Sequence, residues 1–268
     1  MAFGDVTGTF QANAASIVAA PALALSTGSG AVSVGDIVVV MLCEQTGLTV
    51  TDFFDSQGGS SGSPTYTAQN AGTLSGTNVS GRCFWRRVTV AGTLTSITGV
   101  ASASSHNYAA VAAIIDGPFV ASPVDANPAN TTTDTSSPFT TPATGTLAQA
   151  ILEVVVSWIA QTGSNTLTAT APTIKAIQQN SVNVVGAILG TQVPPDTTSV
   201  TPAYTGTAPT DNVLGTISFL GDTTITVLIE TPPHYPPKAT TVSSRYSATK
   251  GKAEFAIFPP PFPEGPPQ

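Results

Sequence analysis

Apolar residues in this chain fall in short runs separated by small polar ones. DIVVVMLCEQ, GRCFWRRVTV, TLTSITGVAS, YAAVAAIID, AILEVVVSWIAQ, TLTATAP, VNVVGAILGTQ, LGTISFLG and TTITVLIE follow one another along the sequence. β-Branched and aromatic residues fill these runs, and Gly, Pro, Asn, Asp and Ser punctuate them, which is the pattern of strands joined by tight turns. Several runs are apolar at nearly every position instead of alternating. Such strands are covered on both sides, either as central strands or because a partner covers one face of the sheet. YAAVAAIID is the best helical candidate, but it spans only about two turns and stops at DGP, so it reads as a strand. The fold class expected is all-β, an antiparallel β-sandwich or jelly roll. The long Ser/Thr/Gly/Pro stretches TDFFDSQGGSSGSPTYT and SPVDANPANTTTDTSSPFTTPATG read as surface loops.

The strand pattern closes at TTITVLIE, which places a body at residues 1–230 and an extended Pro-rich C-terminal arm at 231–268. That arm holds ten of the 22 prolines. Proline withholds a backbone donor and fixes φ, so TPPHYPPK and FPPPFPEGPPQ are extended and are not central strands. Between them, ATTVSSRYSATKGKAEFAIF has the residues of a hairpin turning near Lys250 and Gly251. Disordered linkers are poor in aromatics, yet the arm carries Tyr235, Tyr246, Phe255, Phe258 and Phe262, and the alternation in AEFAIF puts Phe255 and Ile257 on one face. These six residues are the candidate protein interface. Within the body, VVVMLCEQTGLTVT and VVVSWIAQTGSNTLT share VVV and QTG at an offset of 116. This echo raises a division into related halves, 1–116 and 117–230, against chance in a chain rich in Val, Thr and Gly.

Composition narrows the function classes. Only 9% of the 268 residues are charged and the net charge is −7, which gives no support to nucleic-acid binding. Residues 1–230 hold four basic and thirteen acidic side chains, whereas 231–268 hold four and two. A weakly basic arm thus follows an acidic body. No apolar run approaches a membrane span, and MAFGDVTGTF lacks the features of a secretory signal, so the expected site of synthesis is a cytoplasm. Cys43 and Cys83 sit in apolar runs and read as buried reduced thiols.

Candidate chemistry is sparse. His106 neighbours serines, but no nucleophile elbow or third triad member accompanies it, and His234 lies between prolines. Asp52 and Asp55 lack calcium-loop spacing, so Asp55 is expected to cap its own turn. DSQGGSSGS has no Lys-Thr to make it a phosphate loop. No catalytic, metal or cofactor-binding residue is assigned, and the chain is expected not to be an enzyme. RCFWRR is the densest cluster of aromatic and basic residues. On a strand, Arg82, Phe84 and Arg86 share one face and Cys83, Trp85 and Arg87 the other. Arg82, Trp85, Arg86 and Arg87 are therefore a candidate recognition surface, with Trp85 available to stack a sugar or a partner's side chain. The competing reading is a core aromatic edged by arginines.

The succession VGDIVVVMLCEQ, VTDFFDSQGG, PTYTAQNAG, RCFWRRVTVAGTLTSITGVAS, AAIIDG and ILEVVVSWIAQTG resembles a β-sandwich domain that recurs in phage virion proteins and some bacterial surface proteins. The likeness spans roughly residues 33 to 220, and its motifs are structural. It implies a virion-surface scaffold without a transferable active site. The resulting expectation is a structural virion protein of a bacteriophage, made in the host cytoplasm. It would decorate or cement the capsid, bind the major capsid protein or neighbouring copies through the arm, and form homo-oligomers. The alternative is a tail-fibre or carbohydrate-binding recognition module.

Overall fold

The computed structural model describes residues 2–223 apart from 15–22, 26–27, 46–49, 59–64, 70–73, 76–77, 102–106, 127, 129–130, 133–136, 164, 171–173, 182–184, 208 and 210. Among the described residues the fold is all-β, with twenty strands, no helix and only antiparallel pairing. The first half contains β1 (Val6–Ala14), β2 (Leu23–Leu25), β3 (Gly30–Val32), β4 (Ile37–Glu44), β5 (Val50–Asp55), β6 (Thr67–Ala68), β7 (Leu74–Ser75), β8 (Ser80–Arg87), β9 (Gly92–Leu94), β10 (Ile97–Ala101) and β11 (Tyr108–Ile115). The second contains β12 (Phe119–Val124), β13 (Thr131–Thr132), β14 (Phe139–Thr140), β15 (Glu153–Thr162), β16 (Leu167–Ala169), β17 (Ile174–Ser181), β18 (Val185–Gln192), β19 (Ala203–Gly206) and β20 (Asn212–Gly221).

The two halves repeat one topology. The large sheets run β1-β11-β4-β8-β6 and β12-β20-β15-β18-β17, and the small sheets run β2-β10-β5 and β14-β19-β16. With β3, β7, β9 and β13 set aside as accessory pairings, each half numbers its strands one to eight. The large sheet is then 1-8-3-6-5 and the small sheet 2-7-4 in both. This is the strand order of a jelly roll in which the fifth strand stays on the large sheet. Only residues 116–118 join the two rolls, and residues 3–223 pack as one compact unit.

The large sheets pack face to face. Val39, Met41, Cys43, Val111 and Ala113 of the first roll meet Val154, Val156, Trp158, Ala187 and Ile217 of the second in one buried cluster. The opposite faces of the same strands line the roll interiors: Val38, Val40, Leu42 and Ile114 pack with Phe10, Phe53 and Phe84, and Ile159, Ile188 and Leu214 pack with Phe139 and Tyr204. Every residue of β4 and β11 is therefore buried, although successive side chains point in opposite directions. This geometry produces the unbroken apolar runs of the sequence.

Trp158 is the largest side chain in the seam. A Cβ on Gly215 would overlap its indole, and one on Gly81 would lie 2.9 Å from its Cζ3 and 2.7 Å from Ala160 Cβ, so both glycines make the hollow that the ring fills. Its Nε1 donates to Gln69 Oε1 at 2.7 Å, and Gln69 Nε2 donates to the Thr216 carbonyl at 2.7 Å. One glutamine of the first roll thus satisfies two polar groups of the second inside an apolar contact.

The 116-residue echo is out of phase with the repeated topology. β4 and β15 are equivalent strands, but Val38 and Val40 face the interior of their own roll whereas Val154 and Val156 face the seam. A one-residue shift turns every side chain to the other face of a strand, so matching VVV to VVV places core residues on opposite sides. The stretch read as a long loop from Ser122 onward also contains the short strands β13 and β14, which pair with β20 and β19.

Trp158→Ala is expected to destabilise the whole body by about 3–5 kcal/mol, because it opens a cavity and strands Gln69. Gly215→Ala is expected to destabilise by overpacking. Chemical denaturation followed by tryptophan fluorescence and by far-UV circular dichroism tests both. The two probes should give a single coincident transition, since neither roll retains a covered large sheet without the other.

Candidate functional site

β8 carries the RCFWRR sequence, and its side chains alternate as expected of a strand. Arg82, Phe84 and Arg86 point into the first roll. The Arg82 guanidinium lies 5.5 Å from the centroid of the Phe84 ring. Arg86 is buried, its Nε donating to Asp55 Oδ2 at 2.6 Å in an ion pair and its Nη2 to Gln57 Oε1 at 2.7 Å. Tyr66 donates its hydroxyl to the same Asp55 oxygen at 2.8 Å, and its ring stands 5.7 Å from the Arg86 guanidinium. Asp55 Oδ1 accepts from Gln57 N at 2.9 Å, closing the turn it was expected to cap, and Gln57 Nε2 donates to the Val90 carbonyl at 2.6 Å. Both carboxylate oxygens and the phenol are engaged. Burial, and then the Asp55 charge, push the Tyr66 hydroxyl pKa upward, further from proton transfer near neutrality.

This network fastens β5 of the small sheet to β8 of the large one. The candidate recognition surface is accordingly broken up. Arg86 is unavailable to a ligand because it is buried against Asp55. Trp85 is half-buried on the other face, edge-on to Phe219 of the second roll with centroids 5.4 Å apart. Arg87 Nε donates to the Phe119 carbonyl at 2.7 Å. The strand joins the two rolls on one face and braces the first roll on the other.

Cys43 and Cys83 are free and buried in the seam, and burial raises both thiol pKa values. In the β4–β8 register Cys43 faces Gly81 and Cys83 faces Met41, so the two sulfurs are diagonal neighbours and not a facing pair. Among the described residues no group of three His, Cys, Asp or Glu is arranged to hold a metal ion. His106, His234 and the six arm residues Tyr235, Tyr246, Phe255, Ile257, Phe258 and Phe262 lie outside the described residues.

A different surface gathers charge. β1, β4, β12 and β15 begin, and β8, β11, β18 and β20 end, around the 116–118 linker. Asp36 holds the linker there: its Oδ1 accepts from Gly117 N at 2.9 Å and its Oδ2 from Ser33 N at 2.7 Å, while Phe119 N donates to the Gly35 carbonyl at 2.9 Å. Gly35 sits at φ +99°, where a side chain would be strained, and a Cβ there would lie 3.1 Å from Pro118. Gly4 N donates to the Asp116 carbonyl, Asp116 N to the Asp5 carbonyl and Asp222 N to the Pro118 carbonyl. Asp5, Asp36, Asp116, Asp125, Glu153 and Asp222 thus surround the linker, with Arg87 beside them. Burial, then Asp36 and Asp5, raise the Asp116 pKa. Glu153 is fully buried; its Oε2 accepts from Gln149 N at 3.1 Å while Oε1 makes no hydrogen bond. Burial and the Asp125 carboxylate raise its pKa. Phe3, Trp85 and Val124 are half-buried at this end and Val193 is exposed. This acidic, partly apolar linker pole is the candidate interaction surface. Sequence reading missed it because its acids come from six separate segments.

Arg86→Ala should cost about 3–5 kcal/mol by leaving Asp55 buried without its cation, as measured by urea denaturation. Glu153 should give a pH signature. Its native pKa lies above the ordinary value, so the native state binds that proton more tightly than the unfolded chain, and the stabilisation this provides is lost as pH rises through the native pKa. Glu153→Gln should therefore melt higher than the parent at pH 7. The gap should close as pH falls toward about 4.5, the ordinary glutamate value. Melting curves across pH 4–8 test this.

No protein-family model matches this chain, and no curated protein or solved structure matches it.

Proposed function

We propose that the protein is a structural component of a bacteriophage particle, a capsid decoration or cement protein that binds its neighbours through residues 231–268. The observation that supports this reading is how the described interior of the body serves its own architecture. Both faces of the large sheets are covered, and the buried Asp55–Arg86–Tyr66–Gln57 group is hydrogen-bonded to itself. What remains for partners is the outer surface and the proline- and aromatic-rich segment that follows the body. An extended segment of that kind loses little conformational entropy on docking and brings aromatic contact area. Synthesis in a host cytoplasm and later incorporation into particles accord with two buried free thiols.

Quantitative mass spectrometry of purified particles tests the reading. A shell component is expected at hundreds of copies per particle, and removal of 231–268 should leave a folded body that no longer enters particles. A handful of copies would favour the tail-fibre alternative, and absence from particles would refute a virion role.

A further inference from the structure

We propose that the linker pole of one copy is the seat for residues 231–268 of a second copy. This rests on the reading of that segment as an assembly arm and adds the surface that receives it. The two are complementary in charge. The body has an excess of acid, thirteen acidic against four basic side chains over 1–230, while the arm has four basic and two acidic. Asp5 and Asp125 are exposed and Asp116 and Asp222 half-exposed around the linker. Asp36 and Asp5 add like charge around Asp116, which the N-terminal ammonium partly offsets, and Lys238, Arg245, Lys250 or Lys252 of an arm would add further opposite charge.

The chemistry also matches in apolar character. Phe3, Trp85, Val124 and Val193 give the pole an apolar strip, and the arm supplies Tyr235, Tyr246, Phe255 and Phe258. The body's last strand delivers the chain to this same end, where Asp222 N is bonded to Pro118.

The test uses the full chain, mixed from ¹⁴N- and ¹⁵N-labelled preparations and treated with a zero-length carbodiimide cross-linker. Mixed-label links from Lys238, Lys250 or Lys252 to Asp5, Asp116, Asp125 or Asp222 are expected. Links confined to one label, or links that avoid the pole, overturn the proposal. In sedimentation equilibrium, the variant Asp5→Asn/Asp116→Asn/Asp222→Asn should self-associate about tenfold more weakly with an unchanged far-UV circular dichroism spectrum. If deletion of 231–268 weakens association but the triple variant does not, the arm reading stands and the pole assignment fails. If the deletion changes nothing, both fail.

Discussion

Trp158 between Gly81 and Gly215 is the contact on which the architecture depends. A large ring set into two hollows that no other residue type would leave fixes both the separation and the registry of the facing sheets. Gln69 reaches across to it and to Thr216, so sliding one sheet over the other would strand a buried indole N–H and a buried amide together. With the registry fixed, three linker residues suffice to join the rolls, and the strand ends of both are brought to one pole. The acidic surface at that pole is thus a consequence of packing far from it.

The rolls share a topology but not a kind of interior. The first is filled by Phe10, Phe53, Phe84, Leu25 and Ile97, with the buried Asp55–Arg86 ion pair braced by Tyr66 and Gln57. In the second the apolar clusters are small, and hydroxyls do much of the work: Ser157 and Tyr204 are 2.6 Å apart, and Thr216 Oγ1 donates to Thr141 Oγ1 at 2.8 Å. Hydrogen bonds of this sort add little net stability but are costly to leave unmade. They specify the second roll's interior without driving its collapse. The apolar seam supplies that drive, so the second roll leans on the first.

The central strands were legible because burial on both faces leaves an apolar residue at every position, as in VVVMLC and YAAVAAII. The facing of RCFWRR was legible from strand alternation alone, and the Asp55 turn from the Asp-Ser-x-Gly order. Edge strands β1, β12 and β17 were not, because one-sided pairing tolerates polar and small residues such as those of VTGTFQANA and IKAIQQNS. The Trp158–Gln69 bond joins residues 89 positions apart and has no local signature. The VVV and QTG echo falls on equivalent strands but out of phase, because composition repeats more easily than phase. Two valine triplets look alike in sequence while their side chains face opposite cores.

Charge completes the picture through position, not number. Asp5 and Asp125, next to strand ends, stay exposed, whereas Glu44, Asp55 and Glu153, also at strand ends, are buried. The outer faces of the small sheets carry mainly uncharged groups, Thr140, Thr168 and Thr205 in the second roll. Asp5, Asp36, Asp116, Asp125, Glu153 and Asp222 gather around the 116–118 linker, where Asp5 and Asp125 are exposed. Charge gathered at one pole gives the body an electrostatic direction that the threonine face of the second roll does not share.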